Sequence, residues 1–397
     1  MWLKCDYLIV GGGVIGLALA RSIHQHYPER KMILIDKESD VAAHASGRNS
    51  GVLHAGFYYT ADSLKARFTV EGNAAWKDFC REYHLPMNEC GKLVVAQNEK
   101  ELEQLFELER RGKRNGSNVE MIDEVQARAI DPNVRTFQKA LWSPDTASVD
   151  PVLCCAALKK ELVAAGVTLL FDCAYLKREG KVVVTGRGRI EAGKVINAAG
   201  LYADKVARDF GFGERYTMIP FKGLYLKYTK DKTAVRTNIY PVPNLAHPFL
   251  GVHYTKTVEG SIKIGPTATP AFWRENYTGW AGFNILELVD TLLWEAKLFV
   301  LNAFGFRDLA IEEMKKYNRK YYVGLAAKMV QEIDSDGFTE WTRPGIRAQL
   351  LDKKENKLVQ DFVVEGDGES VHVLNAGSPA FTCAFPFADY VVDNFVK

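Results

Sequence analysis

The stretch Tyr7-Leu8-Ile9-Val10-Gly11-Gly12-Gly13-Val14-Ile15-Gly16 decides the fold. Tyr7 to Val10 is an apolar run of strand length and Leu17 to His24 reads as helix, so the glycines between them mark a tight strand-to-helix turn. Those at 11, 13 and 16 match the x-Gly-x-Gly-x-x-Gly spacing of a dinucleotide turn. The first permits the turn, the second lets a pyrophosphate approach the backbone, and the third lets helix pack on strand. N–H groups at the helix start, around Val14 and Ile15, can then bind a diphosphate. A second apolar run, Met32 to Ile35, ends in Asp36 with Lys37 beside it, twenty residues beyond Gly16. An acid at that place holds an adenosine ribose hydroxyl. The pattern predicts an α/β fold with a dinucleotide site, and by itself it fits FAD and NAD alike.

The rest of the composition is compatible with this. The 397 residues are 47% hydrophobic and 25% charged, the balance of a globular chain able to bury a large core. Lys and Arg number 51 against 49 Asp and Glu, with no long block of one sign, so nothing supports a nucleic-acid-binding face. Small molecules are the expected partners. Seven scattered cysteines, with no Cys-x-x-Cys pair and no Cys/His cluster at zinc spacing, read as reduced cytoplasmic thiols and predict no metal. No apolar run approaches the roughly 18 residues that span a bilayer. The nearest, Leu298 to Phe306, predicts a buried or surface-lying helix, hence at most peripheral contact with the inner face of a membrane.

Ser46-Gly47-Arg48-Asn49-Ser50-Gly51 follows the second strand and leads into Val52-Leu53-His54-Ala55-Gly56-Phe57-Tyr58-Tyr59. By composition it is an ordinary turn as readily as a loop running beside a cofactor. Read as one piece, Ser46 to Tyr59 closely resembles the flavin-contacting loop of the L-2-hydroxyglutarate dehydrogenase/oxidase family. That family lies within the FAD-dependent oxidoreductases that include D-amino-acid oxidase, glycine oxidase and glycerol-3-phosphate dehydrogenase. The likeness extends through Cys90-Gly91-Lys92-Leu93, Ser148-Val149-Asp150, Asn197 to Asp204, Pro220 to Gly223, Ile239 to Pro243, His247 to His253, Gly265-Pro266, Gly345 to Gln349 and Asn375 to Ala380. Lys222, Asp36 and Phe381 stand where the family usually carries Arg, Glu and Ala.

The resemblance implies a Rossmann-like FAD-binding domain interleaved with a mainly antiparallel β-sheet substrate domain, the D-amino-acid oxidase and glutathione reductase type of flavoprotein. The FAD domain is expected from residues 1–85, 145–215 and 345–397, and the substrate domain from 86–144 and 216–344. Pro220 to Lys227, Ile239 to Val242, Gly251 to Lys256 and Ser261 to Gly265 read as strands, and Glu101 to Arg114 and Leu286 to Lys316 as helices. The cofactor loop is expected to contribute Ser46, Asn49, Ser50, Gly51 and Val52, and the strand end Ala198, Ala199 and Gly200. The C-terminal turn Ala376, Gly377, Ser378, Pro379 and Ala380 should open a helix with a serine cap and proline in its first turn. That helix end would face the flavin where negative charge gathers on reduction.

Oxidising a 2-hydroxy acid removes a hydroxyl proton and moves a hydride to the cofactor, which calls for a base and for cations or hydroxyls that hold carboxylates. His54, at the end of the flavin loop, and His253, at the end of a substrate-domain strand, are the candidate bases. Lys222 and Arg347, the latter placed just before a strand, are candidate carboxylate anchors, with Tyr58, Tyr59 and Tyr240 as hydroxyl donors. The implied reaction is oxidation of L-2-hydroxyglutarate, a dicarboxylate, to 2-oxoglutarate, with quinone or oxygen accepting the electrons. An amino-acid or glycerol-3-phosphate oxidoreductase and a non-catalytic flavin-binding protein remain the alternatives, because a fold does not set its substrate.

Overall fold

The computed structural model describes residues 1–243 and 251–396, and the chain divides into two compact units. His247 to Leu250 of the family-like stretch lie outside the described residues.

The first unit holds Met1–Asn49, Pro151–Pro220 and the chain from Arg347 onward. At its centre the strand Trp2–Val10 runs parallel to Gly188–Asn197 on one side and to Met32–Ile35 on the other. Thr168–Leu170 and Ser370–Asn375 extend the parallel sheet outward, and the antiparallel pair Tyr175–Glu179 and Val182–Thr185 forms one margin. Met32–Ile35 and Ser370–Asn375 are buried along their whole length, as parallel strands covered on both faces must be. Leu8, Val10, Ile33, Ile35 and Val195 share one core. The helix Val14–His26 lies against Pro151–Ala164 and Ala380–Val391.

The second unit, Ser50–Asp150 and Phe221–Ile346, is built on a sheet with the strand order Phe338–Trp341, Leu226–Tyr228, Ile262–Gly265, His253–Lys256, Asn238–Pro241, Lys92–Val95, Lys139–Ser143, Glu120–Asp123. Every neighbouring pair is antiparallel except Asn238–Pro241 with Lys92–Val95. The period of two divides the side chains cleanly. Leu93, Val95, Ile239 and Tyr254 point into one core, and Val94, Ala96 and Tyr240 into another on the opposite face.

Residues 50–85 and 145–150, expected with the cofactor domain, belong to this second unit. Val52–Leu53 pairs with Ala147–Val149, and buried Asn73 of the helix Leu64–Glu82 donates at 3.1 Å to the carbonyls of Leu53, His54 and Asp145. One side chain thus ties three segments together. The expected helical stretch from Leu286 to Lys316 is broken: Ile285–Leu301 and Phe306–Lys315 are separated where Asn302, Phe304 and Gly305 take left-handed backbone angles.

Candidate active site

In the first unit, Gly11 turns the chain away from its strand with φ +116°, and a Cβ there would run into the Ala198 carbonyl. A Cβ on Gly16 would strike the Gly11 carbonyl. Side chains are excluded at both positions, which leaves bare backbone at the head of the helix. Asp36 braces this turn, its Oδ2 accepting the Gly12 N–H at 2.5 Å and its Oδ1 the Glu38 N–H at 2.8 Å. Gly13 occupies the N-cap and has no side chain to offer, so Ser46 Oγ from the following loop accepts the Val14 N–H at 2.9 Å. Asn49 holds that loop closed by donating to the carbonyls of Ala45 and Ser46 at 3.1 and 2.8 Å. Lys37 pairs with Glu38.

The second turn of the same unit is set by buried Asn197. Its Oδ1 accepts the Ala199 N–H at 3.1 Å and its Nδ2 donates to the Ala203 carbonyl at 2.8 Å, fixing the path of Ala198, Ala199 and Gly200. A Cβ on Gly200 would meet nothing within 4 Å, and one on Gly377 only Asn375 Oδ1 at 3.8 Å, so the chain leaves open space at both turns. These features fit a bound dinucleotide.

The C-terminal expectation needs a correction. The helix Ala380–Val391 has Pro379, not Ser378, in its N-cap and no capping side chain. A cap must stand directly before the first helical residue, and Ser378 is one place too far out. The boundary between the units falls after Asn49, so Ser50, Gly51 and Val52 are counted with the second unit.

The second unit brings His54, His253, Tyr58 and Tyr240 together. Ile239 pairs with Tyr254 in antiparallel register, which sets Tyr240 beside His253 on one sheet face. The His253 imidazole stacks on the Tyr240 ring with centroids 3.7 Å apart, and its Nδ1 lies 3.0 Å from the Gly251 carbonyl. A carbonyl only accepts, so Nδ1 carries the proton and Nε2 of the neutral ring does not. His253 begins its strand, contrary to the expectation that it ends one. His54 meets Tyr240 edge-on at 6.4 Å. Burial, with Lys92 and then His253 adding to it, holds the His54 imidazole well below its ordinary 6.5. Burial also raises the phenol of Tyr58, whose hydroxyl has no hydrogen-bond partner among the described residues. Tyr59 is half-buried and packs on the same cluster.

Sequence reasoning missed Lys92 as a member of this group. It is 0% exposed, and its Nζ lies 3.3 Å from His54 Nδ1. The available signal was a lysine opening the apolar run Leu93-Val94-Val95, at a position whose strand alternation matches that of buried Val94. Lys222 sits half-buried in the strand Tyr216–Gly223 and donates to Asn276 Oδ1 at 3.1 Å. Arg347 belongs to the first unit and lies inside the strand Gly345–Asp352, not ahead of it.

Comparison with known proteins agrees with this geometry. The family model of FAD dependent oxidoreductases matches residues 6–394. The chain is 34% identical to the mitochondrial L-2-hydroxyglutarate dehydrogenase of Nematostella vectensis, covering 98% of this chain and 90% of that one. It is 32% identical to the L-2-hydroxyglutarate dehydrogenase of Escherichia coli K12, over 98% and 92%. Among solved structures, FAD-bound L-α-glycerophosphate oxidase of Mycoplasma pneumoniae superposes with a TM-score of 0.74 at 22% identity, over 99% of this chain and 95% of that one. Glycine oxidase of Geobacillus kaustophilus does so with 0.70 at 17%, over 99% and 95%. At such identities these two speak for the fold alone. The chain belongs to the FAD-dependent oxidoreductase family, and within it to the group of L-2-hydroxyglutarate dehydrogenases.

Proposed function

We propose that the protein oxidises L-2-hydroxyglutarate to 2-oxoglutarate, with FAD held by the glycine turn, Asp36 and Ser46 of the first unit. The observation that carries this reading is the buried group of His54, His253, Tyr58 and Tyr240 in a chain one third identical to dehydrogenases of that name. When bound, FAD supplies an acceptor for the hydride that leaves C2. The protein's own task is to take the hydroxyl proton and to hold two carboxylates. His54 takes the proton, since burial keeps its imidazole neutral at working pH. A second reading assigns the proton to His253, favoured by the Gly251 carbonyl that reserves its Nε2 as an acceptor. Lys222 and Arg347 are the proposed carboxylate anchors. Incubation with L-2-hydroxyglutarate and an artificial electron acceptor tests the reaction: 2-oxoglutarate should accumulate in step with acceptor reduction, and its absence would overturn the assignment.

We further infer that the electrons pass to a quinone dissolved in a membrane. No described helix is long and apolar enough to cross a bilayer. The helix Ile285–Leu301, however, is inverted in polarity. It buries Glu287, Thr291 and Glu295 while Leu286 is 78% and Val300 73% exposed, alongside Val289, Leu292 and Leu293. An apolar face of this extent, followed by exposed Lys315, Arg319 and Lys320, suits the surface of an anionic bilayer. Wild-type protein should sediment with phosphatidylglycerol vesicles and the Leu286→Glu/Leu293→Glu double variant should not. Wild type that stays in the supernatant would contradict membrane contact and favour oxygen.

A further inference from the structure

Lys92 is a buried lysine to which the proposed reaction gives no task. It is wholly buried, and among the described residues no carboxylate acts on it. Its Nζ is enclosed by the rings of Tyr240 at 4.3 Å, Tyr58 at 5.1 Å and Phe57 at 5.4 Å, with His54 Nδ1 at 3.3 Å. His253 fills one face of Tyr240 at 3.7 Å, so the lysine takes the other. The remaining titratable neighbours are Tyr59 and Tyr225, which act on Tyr58 or Tyr240, and Cys90, whose thiol burial pushes up. Among the described residues no carboxylate counter-charge acts on the amine.

We propose that Lys92 is a positioning residue that sets the tautomer of His54, its neutral amine accepting the Nδ1 proton so that the lone pair lies on Nε2. This rests on the reading of His54 as the base. An unpaired buried ammonium loses more in leaving water than the surrounding aromatic faces return. Burial accordingly lowers the lysine from 10.5 to about 7. Once the amine is neutral, the direction of the hydrogen bond follows from acid–base strength. An aliphatic amine is the better acceptor and an imidazole N–H the better donor, so the proton sits on Nδ1 and points at Nζ. When Lys92 is charged the bond reverses: the ammonium donates to Nδ1, the ring proton moves to Nε2, and His54 becomes a donor unable to act as a base. In turnover the hydroxyl O–H bond breaks as Nε2–H forms, and the Nδ1 proton can pass to Nζ. The pair thus gains one proton, and the hydride's two electrons leave with FAD.

The test uses FAD-loaded protein labelled with ¹⁵N-histidine, with His54→Gln identifying the His54 resonances. At pH 8 the wild-type His54 should show a protonated Nδ1 and a bare Nε2, reverting to Nε2–H below pH 7. Lys92→Met, which has no acceptor, should lose the Nδ1–H tautomer at every pH. Lys92→Arg, always charged, should hold Nε2–H throughout and lower single-turnover flavin reduction by ~10²-fold or more with KM little changed. A wild-type His54 in the Nε2–H form at pH 8 overturns the proposal, and that measurement needs no variant at Lys92 to fold. If the tautomer is as stated and His54→Gln still reduces its flavin at the wild-type rate, the assignment of His54 as base fails while the Lys92 contact stands.

Discussion

The imidazole of His253 lies flat on the ring of Tyr240, with centroids 3.7 Å apart and planes 13° from parallel. Stacking fixes the plane of the imidazole, and the Gly251 carbonyl 3.0 Å from Nδ1 fixes its rotation within that plane. His54 is held differently: its backbone carbonyl accepts from Asn73, and its Nδ1 faces Lys92. The two histidines are therefore unequal in surroundings, one backed by a carbonyl and the other by an amine that can itself take a proton.

That inequality predicts unequal kinetics. His54→Gln should slow single-turnover flavin reduction by ~10²–10⁴-fold, the usual loss for a general base, while His253→Gln should act mainly through KM. Flavin content should be normal in both. The reverse order would transfer the base to His253, and two near-normal variants would remove both.

The cradle is tested by Gly13→Val. A Cβ at Gly13 already stands 3.0 Å from Ser46 Oγ, the atom that accepts the Val14 N–H, so a branched side chain displaces the loop and covers the helix start. The variant should fold, as judged by circular dichroism, yet purify with little FAD. A variant with wild-type flavin absorbance would show that the pyrophosphate is bound elsewhere.

Glu295 makes a prediction about stability. It is 8% exposed, its Oε1 has no hydrogen-bond partner among the described residues, and burial raises its carboxyl from 4.5 to about 8. The folded state thus binds a proton that the unfolded state releases, so this group's contribution to stability is present below pH 4.5 and falls as pH rises toward 8. Glu295→Gln removes the dependence. A tenfold difference in proton affinity between the folded and unfolded states corresponds to about 1.4 kcal/mol, so at pH 8 the variant should be more stable than wild type by ~1 kcal/mol or more, with little difference at pH 4. Equal urea midpoints at both pH values would contradict it.

The cofactor half of the fold was legible in the sequence because its signals are local. Gly11, Gly13, Gly16 and Asp36 lie within one strand-turn-helix-strand unit, and Met32–Ile35 is a strand at the bounds its apolar run suggests. Placement of residues 50–85 was not legible, because it depends on Asn73 reaching carbonyls at 53, 54 and 145, and such long-range contacts leave no mark on periodicity. Ser378 misled for a different reason: a serine before a proline looks like a cap, but the helix begins one residue later than that pattern implies. Lys92 was hidden because lysine is ordinarily solvated, and its burial beside His54 follows from strand register. The polarity inversion of Ile285–Leu301 could be read only once its buried face was known, since the sequence shows where apolar residues recur and not which side meets solvent.

The central claim is that this chain oxidises a five-carbon dicarboxylic hydroxy acid of L configuration, and the most direct measurement is anaerobic stopped-flow bleaching of its flavin absorbance. L-2-hydroxyglutarate should bleach the flavin in a single saturable phase. D-2-hydroxyglutarate and L-lactate should be slower by ~10²-fold or more, because the first misplaces its C2 hydrogen and the second leaves a carboxylate anchor unpaired. Bleaching by L-lactate, glycine or glycerol-3-phosphate at a rate equal to or above that with L-2-hydroxyglutarate would contradict the account.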